Sequence, residues 1–178
     1  MNNTERYIDA ICGEGKVFKD DMRDYFKKSI FEIIELSDGS LFELSKEHIE
    51  TRFCFSFDEV MDCQSGTNTY QEANDMASNV GFEYFLDENL KGLKASIERL
   101  KEDDELYLCV KYYRGPKNIV AYTSFQDAQV LGKLCEADRK LIIEAKERQI
   151  ANMEKRCKTW WKRYGKEKLH TWTYSCWD

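Results

Sequence analysis

Hydrophobic and polar positions along this chain change period several times, and each change predicts an element. Asn3 or Thr4 can cap a short helix running to Ile11, with Gly13 ending it, and a second short helix fits Asp20 to Lys28. From Ser29 to Leu36 the residues are β-formers, Asp38-Gly39 is a tight-turn signal, and Ser40 to Leu44 returns a hairpin. A third strand is expected over Thr51 to Phe57, where Phe53, Phe55 and Phe57 alternate with Arg52, Cys54 and Ser56. Asp58 to Asn68 is polar and reads as a loop. Thr69 and Glu72 then fit a capping box that opens a short helix to about Ser78.

A longer helix is expected from Gly81 to Leu100, because Phe82, Phe85, Leu86, Leu90, Leu93, Ile97 and Leu100 recur near helical spacing. The acidic run Glu102 to Glu105 breaks it. Leu106 to Tyr113 reads as a strand, Gly115-Pro116 as a turn, and Asn118 to Thr123 as the returning strand. Ser124 to Glu136 shows no clear period and is read as irregular or short helix. One long helix follows from Asp138 to Tyr164. Its apolar positions Ile143, Ile150, Met153, Cys157, Trp160, Trp161 and Tyr164 fall within about 100° of one another, and Gly165 is its expected C-cap. From Lys168 onward His170, Trp172, Tyr174 and Cys176 alternate with Thr171, Thr173 and Ser175, which predicts a final strand.

Together these elements predict an α+β fold in a single domain, residues 1–178. An antiparallel or mixed sheet of about six strands would pack against the two long amphipathic helices. A chain of 178 residues that is 42% hydrophobic can bury such a core, and its one proline and nine glycines leave little material for linkers. No stretch approaches the ~18–20 apolar residues of a membrane span. The polar start Met1-Asn2-Asn3-Thr4-Glu5 predicts no signal peptide, and seven cysteines without one read as reduced thiols in a cytoplasm.

Charge changes the picture. Between Arg139 and Leu169 eleven Lys/Arg face four Asp/Glu, a balance of +7 in a chain of −6. A basic, aromatic last third on an acidic body predicts an anionic partner. Arg148, Lys155, Lys158, Lys162 and Lys166 lie opposite the apolar stripe of the long helix and are the candidate partner- or nucleic-acid-binding residues. Trp160 and Trp161 flank that stripe and are expected in the core. Catalysis is not expected. The two histidines allow few Cys–His pairs, and Cys176 and His170 would sit about 20 Å apart in an extended strand. Gly13-Glu14-Gly15-Lys16 lacks the spacing of a phosphate-binding loop. No Cys-x-x-Cys pair supports zinc, and Asp58, Glu59 and Asp62 do not match a calcium loop. Neither a metal nor another cofactor is expected.

Three segments carry a resemblance: Glu50-Thr51-Arg52-Phe53-Cys54-Phe55-Ser56-Phe57, Glu83 to Gly92, and the end from Lys162 through Tyr174. Their combination resembles small proteins carried by phages and integrated mobile elements of gut Firmicutes, among them inhibitors of type II-A CRISPR systems. It covers residues 48–178 and leaves the N-terminal helices and hairpin, 1–47, outside. The resemblance implies a non-enzymatic effector in the host cytoplasm that binds Cas9 with its guide RNA and stops DNA cleavage. It transfers no functional residue. The alternative expectation is a nucleic-acid-binding accessory protein of such an element, using the basic face of the last helix.

Overall fold

The computed structural model describes residues 1–55, 80–112, 119–125 and 129–173. The polar loop and capping box expected over 58–78, the Gly115-Pro116 turn and the chain after Thr173 lie outside the described residues. The fold class is α+β, as expected. Its residues group into two compact units, one made of 1–47 and 93–151, the other of 48–92 and 152–178.

The first unit is built on a mixed five-stranded sheet. Helix α1 (Asn3–Ile11) and helix α2 (Arg23–Ser29) precede strands β1 (Ile30–Glu35) and β2 (Leu41–Ser45). Asn2, rather than Asn3 or Thr4, caps α1. Its side chain accepts from the Glu5 amide while the Glu5 carboxylate accepts from the Asn2 amide, so two orphan donors are satisfied reciprocally. The hairpin turn needs a positive φ at Gly39 (+84°), and Asp38 accepts from the Ser40 amide at 2.9 Å. The sheet order is β1-β2-β5-β4-β6, where β4 is Tyr107–Val110, β5 is Ile119–Thr123 and β6 is Val130–Lys133. All neighbours are antiparallel except β2 and β5, which run parallel.

Both faces of this sheet are covered. Tyr7, Ile8, Ile11 and Phe26 bury Ile30, Ile33, Leu41 and Ile119 on one face. Leu100 and Leu106 with Ile142 and Ala145 bury Ile34, Phe42, Leu44 and Val120 on the other. A bulge between Ile30 and Glu32 explains how Ile30 and Ile33, three apart, reach the same side. The two long helices are α3 (Phe82–Glu102) and α4 (Glu136–Tyr164), and the division between the units falls within both.

Three expectations need correction. The segment 124–136, read as irregular or helical, contains β6. That strand, Val130–Lys133, is mostly exposed and carries Gly132, so it shows neither alternation nor an apolar run. The sheet has five strands, because β3 (Arg52–Phe55) and β7 (His170–Thr173) pair with each other, in parallel, as a separate two-stranded sheet. In the first half of α4 the buried line is Asp138, Ile142, Ala145 and Gln149, while Ile143 and Ile150 are only half-buried. Polar members disguise that line. The Asp138 carboxylate accepts from the Ser37 amide at 2.8 Å and its hydroxyl at 3.0 Å, and the Gln149 amide donates to the Ser45 carbonyl. Arg139, also buried, donates to the Leu100 carbonyl and, at 2.9 Å, to the Asp103 carbonyl, so it satisfies the C-terminal end of α3.

Candidate functional site

In the second unit the end of α4 is held by rings. Phe85, fully buried on α3, stacks on Trp160 at 5.1 Å between centroids and meets Trp161 at 5.3 Å and Phe53 of β3 at 6.2 Å. Phe82 packs on Trp161 as well, at 5.6 Å. Such offset and tilted pairs add to the burial of large apolar area. Trp160 and Trp161 are thus anchored in the aromatic cluster, as the apolar stripe predicts. Cys157 and Met153 are buried on the same side of α4, and burial pushes the Cys157 thiol up from its ordinary value.

Asn89 of α3 fixes the chain just before β3. Its side-chain oxygen accepts from the Glu50 amide at 2.6 Å, and its side-chain nitrogen donates to the Glu50 carbonyl at 3.1 Å and the Phe85 carbonyl at 2.8 Å. One asparagine therefore copies a strand's paired hydrogen bonds on residue 50. The Glu50 carboxylate accepts from the Arg52 amide at 2.6 Å, and the Thr51 carbonyl accepts from the His170 amide at 2.8 Å. These bonds hold Ile49 beside α4.

Between Ile49 and α4 lies a groove of about 380 Å³. Asn152, Lys155, Thr159 and Arg163 form its exposed edge, one turn apart along the helix. Arg156, Trp160 and Tyr164, the next row round, are half-buried and form its floor. Among the described residues no acidic side chain lines it. Tyr164 is flanked by cations: the Lys168 ammonium lies 4.2 Å and the Arg163 guanidinium 5.8 Å from its ring centre. Residues 152–168 hold seven Lys/Arg and two Asp/Glu, so the groove sits in a local charge of +5.

The sequence-derived row separates in the structure. Lys155, Lys158 and Lys162 are exposed on α4 and make no ion pair among the described residues. Arg148 belongs to the first unit and is engaged there. Its guanidinium grips the Glu32 carboxylate of β1 at 2.7 and 3.1 Å, which raises its pKa further. Lys166 falls in the 3₁₀ turn Gly165–Lys168 that follows α4, and its side chain lies outside the described residues. Sequence reasoning missed Arg156 and Arg163, which stand at the margin between the basic and apolar faces. It missed Ile49 as well, since only the fold sets residue 49 beside residues 152–164.

A second polar cluster lies in the first unit. Tyr7 donates to Glu43, which also accepts from the Lys111 ammonium at 2.8 Å and the Ser45 hydroxyl at 2.6 Å, and the Tyr112 hydroxyl lies 3.5 Å from that of Tyr7. Burial alone would raise the Glu43 pKa, but the bonds from Lys111, Ser45 and Tyr7 together outweigh it and hold the group below its ordinary value. Burial and the hydrogen bond to Glu43 push the Tyr7 phenol far up. Each group is satisfied within the cluster, which makes it a structural pin of α1 on the sheet. Among the described residues no three His, Cys, Asp or Glu side chains are placed to hold a metal ion, and no helix is long and apolar enough to cross a membrane. No protein-family model, curated protein or solved structure matches this chain.

Proposed function

We propose that this protein acts by binding, and that its contact surface is the basic groove on the last half of α4, which takes a nucleic-acid strand. The observation that carries this reading is a groove edged by Lys155 and Arg163, floored by Arg156, Trp160 and Tyr164, and lined by no acid among the described residues. Cations set along a helix displace the counterions of a phosphate backbone, so binding would be strongly salt-dependent. Anisotropy of a labelled oligonucleotide tests it. Binding should weaken steeply with salt, and no binding to any DNA or RNA at low salt would overturn the reading.

The resemblance of residues 50–57, 83–92 and 162–174 supplies a setting for that surface. It implies a host Cas9–guide RNA complex as the partner and inhibition of DNA cleavage as the outcome. Guide RNA is an anionic strand of the kind the groove fits, and Cas9 carries its nucleic acids in positively charged channels. Target cleavage by Cas9–guide RNA, measured with and without this chain, tests the setting. Unchanged cleavage together with no co-elution would remove Cas9 while leaving nucleic-acid binding standing.

A further inference from the structure

The geometry points to a single-strand site: the groove takes an unpaired nucleobase between Ile49 and the Trp160–Tyr164 floor, with the flanking phosphates on Lys155 and Arg163. This rests on the nucleic-acid reading above and narrows its ligand. A duplex offers phosphates to a protein surface and keeps its bases stacked inside, so it would use the cations and leave the apolar wall idle. An unpaired strand uses both, because every base has a face that stacks on an aromatic or apolar surface.

Three features suit that ligand. First, the groove volume of about 380 Å³ lies at the small end of ligand pockets, which run from about 300 to 1,000 Å³. Second, the wall is built in advance. Asn89 fixes the backbone of Glu50 through two hydrogen bonds, and Phe85 holds Trp160 from behind, so little ordering remains to be done on binding. Third, charge and rings alternate along the helix. Lys155 and Arg163 are separated by eight residues, about 12 Å along the axis, and Trp160 falls between them. Arg163 and Lys168 already lie against the Tyr164 ring, which brings positive charge next to the stacking surface. Asn152 at one end carries both an amide donor and a carbonyl acceptor, the pairing that can read a base edge.

The test uses the full chain and three fluorescein-labelled probes of equal length, roughly eight nucleotides: an oligo-U or oligo-dT strand, the same backbone with abasic sites, and a duplex. Expected is binding of the intact strand on the order of ten-fold tighter than the abasic strand or the duplex, the low end of what one stacked base contributes. Quenching of tryptophan fluorescence by the intact strand alone is expected as well. Ile49→Ala should erase most of that preference and leave the weaker duplex binding unchanged. Tyr164→Leu should lower that preference as well, and a far-UV spectrum matching the parent verifies its fold. Lys155→Glu with Arg163→Glu should weaken all three probes. Equal, salt-dependent binding of all three probes overturns the base site and leaves the phosphate binding of the proposed function intact. Binding of none of them, with binding of poly-glutamate instead, overturns both in favour of an acidic peptide.

Discussion

Two sets of cations, one in each unit of this molecule, are treated in opposite ways. In the first, each key basic side chain is matched to a fixed acceptor: Arg148 to Glu32, Lys111 to Glu43, Arg139 to the carbonyls at the end of α3, Arg6 to Glu35. In the second, among the described residues, Lys155, Lys158 and Lys162 stand in solvent without an ion pair and no acid lines the groove beside them. A cation already paired is part of the fold. A row of cations left unneutralised repels itself and is relieved when an anion arrives. The same helix, α4, therefore changes character along its length, from paired cations at Arg139 and Arg148 to exposed lysines without an ion pair among the described residues after Asn152.

The largest effect should come from the aromatic cluster of the second unit. Phe85→Ala removes the ring on which Trp160, Trp161 and Phe53 rest, and should cost roughly 3–5 kcal/mol. Urea titration followed by tryptophan fluorescence would show it as a lower midpoint, and an unchanged midpoint would mean the rings do not share one core. Next in size is the buried Asp138 carboxylate of the first unit. Asp138→Ala leaves the Ser37 amide and hydroxyl without their acceptor and should cost about 1–3 kcal/mol, measured the same way.

A smaller effect is pH-dependent. The folded pKa of Glu43 is below its ordinary value, so its contribution is fully present above about 4.5, the ordinary value. It is lost as pH falls through the lower folded value. Glu43→Gln should therefore flatten part of the acid limb in a plot of melting temperature against pH. An acid limb identical to the parent's would break the assignment of that cluster as a charge-assisted pin.

The smallest stability effects sharpen the comparison most. Arg148→Ala should cost less than about 1 kcal/mol, because the ion pair with Glu32 is partly exposed, and should leave oligonucleotide affinity unchanged. Lys155→Glu with Lys162→Glu should stay within about 0.5 kcal/mol of parent stability. The same pair should lower affinity. The slope of log K against log salt should become shallower by about 0.7 for each single-strand phosphate that is no longer neutralised. Equal weakening of binding by Arg148→Ala and by the lysine pair would erase the distinction between the two units.

Much of the fold was legible in the sequence, since local signals agree with the structure element by element. The Asp38-Gly39 turn, the apolar spacing from Phe82 to Leu100 and the stripe through Met153, Cys157 and Trp160 each act within one segment. The buried line of Asp138, Ala145 and Gln149 was not legible, because two of these residues are polar and are buried only by virtue of partners about a hundred residues away. Of the candidate site, the basic face was visible as a one-sided row at helical spacing. Its division into a paired Arg148 and exposed lysines depended on Glu32, which no pattern along the helix reveals.

The sequence by itself determined the α+β class, the two long helices and the concentration of positive charge on the last one, because period and charge are properties of neighbouring residues. Only the tertiary structure decided that β3 and β7 leave the main sheet to pair with each other, and that Ile49 meets Trp160 and Tyr164 across a groove. Those pairings join residues more than a hundred positions apart. They are chosen by which apolar faces and unsatisfied backbone groups fit together once the helices have packed, and local pattern carries no record of that fit.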